Sequence, residues 1–157
     1  MTDNQLVWDL PDPFIINITV NDSDTDELGH ANNVVYVRWL EDVSWAHIES
    51  LGMTWALHEA TGKAMAITRT EIDYLASAIP GDRLLLGTWL TEYDGRFRSS
   101  RQFQLIRQAD AKTLVRAVST HACVDMKSQR PARVPKEFSD ILEAAVVPGK
   151  GKLPQVK

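Results

Sequence analysis

Cysteine is nearly missing from this 157-residue chain, Cys123 being the single one. One thiol cannot build an internal disulfide framework, so a reducing compartment, the cytoplasm, is the expected location. Long apolar runs are missing as well. No stretch approaches the roughly 18 residues of a membrane span, and the start, MTDNQLVWDLPDPF, carries acids and prolines where a signal peptide would be apolar. Membrane insertion is therefore not expected. Net positive charge is lacking too: 17 basic and 21 acidic side chains give −4, which disfavours nucleic acid as a main partner. The four histidines are scattered without metal-ligand spacing, so no metal is expected. What remains is a hydrophobic fraction of 44%, enough for a core without staples.

Along the chain, residues 1–13 read as an N-terminal arm, 14–146 as a single domain and 147–157 as a disordered tail of Pro, Gly and Lys. FIINITVN (14–21) is rich in β-branched residues and predicts a first strand. From Asn33 to Leu51, Val37, Leu40, Val43 or Ser44, Ile48 and Leu51 recur at helical spacing, broadened by Tyr36, Trp39 and Trp45, with Asn32 or Asn33 as cap and Gly52 at the exit. A connector (52–63) follows, and then four strands separated by the turns IPGD, YDGR and QADAKT. In the last strand Leu114, Val118, Ala122, Val124 and Met126 are expected on one face, and SDILEAAV (139–146) predicts a short final helix. One helix covers only one face of a five-stranded sheet. The other face or an edge must be covered, and a homo-oligomer with twofold symmetry is the economical answer.

The loop SDTDELGHANN, just before the helix, carries more polar chemistry than a turn and a cap require. Helix starts leave backbone N–H groups unpaired and carry partial positive charge, which suits an oxygen gaining negative charge in a transition state. Gly29 permits a positive φ or close approach of a ligand. Asp26 supplies a carboxylate able to act as general base for water or to attack directly, and His30 and Asn33 can orient substrate or water. These parts suit hydrolysis of an acyl group. A thiolate departs without an acid partner, so a thioester fits better than an amide. The plainer reading treats Asp22, Ser23, Asp24 and Asp26 as turn formers and His30 as a satisfier of a backbone carbonyl.

DTDELGHANNVVYVRWLE (24–41) resembles the signature of hotdog-fold acyl-CoA thioesterases of the 4-hydroxybenzoyl-CoA thioesterase type, a group that includes the Tol-Pal-associated enzymes. IDYLASAIPGDRL (72–84) and RPARVPKEF (130–138) resemble two further family segments in the same order, and the likeness spans about residues 14–138. It implies an α+β hotdog fold, with a long helix wrapped by a five-stranded antiparallel sheet. It also implies dimers that share a continuous sheet, often tetramers, with active sites at the dimer interface. The substrate implied is an acyl-CoA, with no cofactor beyond the coenzyme A it carries. By this likeness Asp26 is the catalytic aspartate, and Gly29 with the backbone near the helix start polarises the thioester carbonyl. Asn33 takes a position that is histidine in some members, and His30 belongs to a Gly-His-x-Asn-Asn variant. The tyrosine- and proline-containing loop of the 4-hydroxybenzoyl enzyme is absent, so the reaction class is implied and that acyl group is not.

Arg130, Arg133 and Lys136 form a basic run suited either to the phosphates of coenzyme A or to plain solvation. Glu41 on the helix is a lesser candidate carboxylate. His47 and His58 read as surface or helix-packing residues, His121 as a satisfied core histidine and Cys123 as a small buried hydrophobe. Two alternatives stand beside acyl-CoA hydrolysis: a thioesterase for acyl-carrier protein, and a hotdog module that binds an acyl-CoA or a protein partner without turnover.

Overall fold

The computed structural model describes residues 5–147, so of the tail expected to be disordered, 147–157, all but the first residue lies outside it. The elements are β1 (Phe14–Thr19), α1 (Asn33–Ser50), α2 (Trp55–Thr61), β2 (Lys63–Tyr74), β3 (Arg83–Tyr93), β4 (Arg98–Arg107), β5 (Lys112–Asp125) and α3 (Lys136–Ala145). The strands form one five-stranded antiparallel sheet in the order β1-β3-β4-β5-β2. β1 runs antiparallel to β3 from Phe14 opposite Thr88 to Thr19 opposite Arg83. The α+β architecture with one long helix is therefore the one expected. Two details differ. The connector contains α2, which Thr54 caps by accepting the Leu57 N–H at 3.2 Å, and which Gly62 ends at φ +67. The final helix starts three residues early, at Lys136, because Pro135 stands at its N-cap with fixed φ.

The chain packs as two compact units. Among the described residues, the first comprises residues 5–44 with Ile72–Thr88 and Phe103–Ala117; the second comprises Trp45–Glu71, Trp89–Gln102 and residues 118–147. In the first, Val35, Tyr36, Trp39, Leu40 and Val43 of α1 share a core with Leu84, Leu86, Phe103, Leu105, Leu114 and Val115. Val37, expected in the buried stripe, is 44% exposed. The two rings set the helix rotation, since burying Tyr36 and Trp39 removes far more apolar area than burying a valine. On β5 the buried set is Leu114, Val115, Ala117, Ser119 and Cys123, not the expected Val118, Ala122 and Val124. The consecutive buried pair Leu114–Val115 shifts the alternation by one, which turns every later side chain over.

Within the first unit the sheet face opposite α1 is covered by the chain's own arm. Phe103 and Leu105 face the core, so Gln104 between them faces away. Its Oε1 accepts the Asp9 N–H at 2.8 Å and its Nε2 donates to the Val7 carbonyl at 3.1 Å. Arg116 holds the Asp9 carboxylate through two bonds of 2.8 and 3.0 Å. Trp8 lies over Gly87, where an added Cβ would sit 2.6 Å from its ring. Gly87→Ala is accordingly expected to lift the Trp8 ring at a cost of about 1 kcal/mol. The check is a red-shifted tryptophan emission that Trp8→Phe abolishes.

The second unit has its own core of Met53, Leu90, Cys123, Val134, Phe138 and Leu142. The Val147 N–H donates to the Leu90 carbonyl at 2.9 Å, fastening the chain beyond α3.

Candidate active site

The loop between β1 and α1 is fixed at both ends by the Ile79-Pro80-Gly81-Asp82 turn and the residue before it. Val20 exchanges bonds with this segment: its N–H donates to the Asp82 carbonyl and its carbonyl accepts the Gly81 N–H, both at 2.9 Å. At the far end the Ala31 N–H donates to the Ala78 carbonyl at 2.8 Å. Inside the loop, Thr25 and Ala31 form an antiparallel bridge.

The two aspartates of the Asp-Thr-Asp sequence have different surroundings. Asp24 is buried: one carboxylate oxygen accepts the Asn21 N–H at 3.0 Å, the other accepts from Arg38 at 3.0 Å, and its carbonyl accepts the Asn32 N–H at 2.8 Å. It therefore staples the loop together. Asp24→Asn keeps the shape and loses the charge pairing, with an expected cost of about 1–3 kcal/mol, read as a lowered Tm. Asp26 is exposed. Its Oδ1 accepts the Leu28 N–H at 2.9 Å and, at the long distance of 3.4 Å, the His30 N–H. Its backbone N–H donates to the His30 carbonyl at 2.9 Å, and its carbonyl accepts the Gly29 N–H at 3.0 Å. Gly29 closes this turn at φ +77, where a Cβ would be strained. Asp26, Gly29 and His30 thus come together in one turn, with the His30 ring exposed.

Asn33 opens α1, and Asn32 before it is the capping residue. The Asn32 side-chain oxygen accepts the Val34 N–H at 3.0 Å, and its carbonyl accepts the Val35 N–H at 2.8 Å. Among the described residues, the Asn33 N–H donates to no protein group. Of the helix-start amides the sequence pointed to, two are committed to the cap and one is open.

The basic run lies in the second unit and all three side chains are exposed. Lys136 pairs with Asp140 one turn on, at 2.9 Å, which raises its pKa. The Arg130 N–H donates to the Ser128 hydroxyl at 3.3 Å, and Pro131 bridges to Val124. Glu41 is exposed on α1. Cys123 is buried, and burial pushes its thiol pKa up, away from the thiolate.

Three histidines form features the sequence did not disclose, all in the second unit. His58 takes the helix-packing role of the two expected for it and is fully buried: its Nδ1 lies 2.7 Å from the Thr54 carbonyl, and its ring packs against Trp45, Trp55 and Phe138. His47 Nδ1 accepts from the buried Arg101 at 2.8 Å. His121 is not the satisfied core histidine expected, since its buried Nδ1 has no partner among the described residues. Burial, aided by the Arg101 charge, lowers both His47 and His121 to about 4.

A five-stranded antiparallel sheet in this order with a long helix entered through a clamped loop defines a hotdog-type fold. Residues 20–142 match the family model of the thioesterase-like superfamily, and the chain belongs to that family. It is 28% identical over 123 residues to the putative acyl-CoA thioesterase YneP of Bacillus subtilis (strain 168), covering 78% of this chain and 88% of that protein. It is 25% identical over 122 residues to the long-chain acyl-CoA thioesterase FadM of Escherichia coli (strain K12), covering 77% and 90%. The fold is shared with the protein SAV2348 of Staphylococcus aureus, solved in complex with CoA, at TM-score 0.79 and 18% identity over 87% of this chain and 85% of that one.

Proposed function

We propose that this protein hydrolyses the thioester of an acyl-CoA to the free acid and CoA, with Asp26 as the reacting carboxylate. The observation that carries this reading is the pairing of a solvent-open Asp26, held by its own turn, with a helix start whose Asn33 amide is uncommitted. In a thioesterase-like chain these are a base or nucleophile and an oxyanion donor. Asp26 either takes a proton from water, whose oxygen then adds to the carbonyl carbon, or adds to that carbon itself. In both cases charge gathers on the carbonyl oxygen, opposite the Asn33 N–H and the partial positive charge of α1. Collapse breaks the carbon–sulfur bond and expels the CoA thiolate, which needs no acid at neutral pH. The water route then leaves the free acid, whereas the nucleophilic route leaves a mixed anhydride on Asp26 that water cleaves to the free acid and the restored carboxylate. A trapped acyl-enzyme, or label from water found in Asp26 after one turnover, marks nucleophilic attack, and finding neither favours the base role.

The names of YneP and FadM support an acyl-CoA substrate. Arg130, Arg133 and Lys136 supply cations for its phosphates, and His30 helps to orient the acyl end. β2 is an edge strand, and Ile67, Thr68, Arg69 and Thr70 are exposed on it. Pairing of this edge with a second copy gives the dimer and encloses the site, and a CoA substrate places the enzyme in the cytoplasm. The test is thiol release from short, long and aromatic CoA esters, set against the same acyl groups on carrier protein. Faster turnover of a CoA ester is expected. A CoA ester that binds and is never cleaved would sink the proposal, and a strong preference for carrier protein would replace the substrate.

A further inference from the structure

Tyr36 stands in the first turn of α1 and is almost wholly buried, at 3% exposure. Its ring lies edge-on to Trp39 at 5.3 Å and to Tyr74 at 5.4 Å, so the side chain has one place to be. A buried tyrosine needs a partner for its oxygen, and here the phenol accepts the Ala78 N–H at 2.9 Å. The Ala78 carbonyl in turn accepts the Ala31 N–H at 2.8 Å. Ala31 bridges Thr25, and the next residue, Asp26, donates its N–H to the His30 carbonyl. The helix start and the aspartate turn are thus linked through one fully buried residue, Ala78, whose two backbone groups are both used.

We infer that Tyr36 is a positioning residue, whose phenol sets, through Ala78, where the Asp26 turn stands relative to the start of α1. The inference rests on Asp26 being the reacting carboxylate. The bonds that shape the Asp26 carboxylate, from Leu28 and His30, are local to its turn and do not involve Tyr36. Removing the phenol therefore leaves the turn intact and frees its placement. The Ala78 N–H becomes a buried donor without a partner, and the segment shifts to find one. Ala31 follows, and with it the distance from carboxylate to oxyanion donor. A displacement of about 1 Å in a reacting group costs on the order of 10²-fold in rate. Ester binding does not depend on that distance, so kcat should change and KM should not.

The experiment compares Tyr36→Phe with Tyr93→Phe, which removes a phenol bonded to Ser139 at 2.8 Å in the second unit. Steady-state kinetics on a CoA ester turned over by the wild type are measured with amide hydrogen exchange at His30 and Ala31. For Tyr36→Phe, kcat is expected to fall about 10–100-fold with KM nearly unchanged and faster exchange at both amides. Tyr93→Phe should lose comparable stability with kcat nearly intact. Matching kcat losses in the two variants, or unchanged exchange at Ala31, would overturn the inference. If the wild type cleaves no thioester, the thioesterase reading fails, and exchange at Ala31 still decides whether Tyr36 holds the loop.

Discussion

Asp26→Asn is expected to lower thioester turnover by about 10²-fold or more, with little change in KM or Tm. The amide is close to the carboxylate in shape and keeps an oxygen able to accept the Leu28 N–H, so the turn closed by Gly29 should persist. The loop's main supports, the Asp24 staple and the bonds of Val20 and Ala31 to the neighbouring turn, do not involve the Asp26 side chain. What is lost is the negative oxygen that takes a proton from water or attacks the carbonyl carbon. An Asn33 amide and a helix dipole still stabilise the oxyanion in the variant, so the residual rate should stay above background. Asp24→Asn has the opposite profile, with a lowered Tm and activity retained by the molecules that stay folded. The pair separates chemistry from scaffolding within a three-residue sequence.

The second large effect is a loss of stability in mild acid. His47 and His121 titrate at about 4 in the folded chain and near 6.5 when unfolded, because burial beside Arg101 disfavours their charged forms. Between pH 6.5 and 4 the unfolded chain therefore binds protons that the folded chain refuses. Stability is full above pH 6.5 and falls as the pH drops through this window. Each complete shift corresponds to roughly 3 kcal/mol, but both rings keep some solvent contact and share Arg101. About 3 kcal/mol for the two together is the expected loss by pH 4.5. The acids with lowered pKa values, Asp94, Asp110 and Asp125, stay ionised across this window and add their losses only below it. Urea unfolding from pH 7.5 to 4.5 measures the slope. A His47→Gln, His121→Gln variant should flatten it, and an equal slope in that variant would assign the acid sensitivity elsewhere.

Local signals made the fold legible. β-branched runs, an apolar helical period, the polar turns and Gly52 gave the strands and the long helix near their observed limits. In the α1 stripe Leu40 and Val43 are buried as expected, and only Val37 was misplaced, because periodicity treats Val37 and Tyr36 alike whereas buried area favours the ring. α2 was missed although Thr54 and Gly62 flank it with a cap and a stop; at seven residues it offers too little periodicity to register. At the site, Asp26, Gly29, His30 and Asn33 were legible because they are consecutive and the turn that joins them is local. Asp24, Tyr36 and Ala78 were not, because their roles come from partners 14 to 42 residues away, Arg38 for Asp24 and Ala78 for Tyr36. The Arg101 cluster was hidden for the same reason: His47, Arg101 and His121 come from three elements and share no motif.

The most direct measurement follows both products at once: free acid and free CoA after mixing the wild-type protein with one acyl-CoA ester in excess. Equimolar release of acid and CoA, continuing over many turnovers and lowered about 10²-fold for both products alike by Asp26→Asn, is the expected result. A bound ester that yields neither product, or turnover that survives Asp26→Asn undiminished, would contradict it.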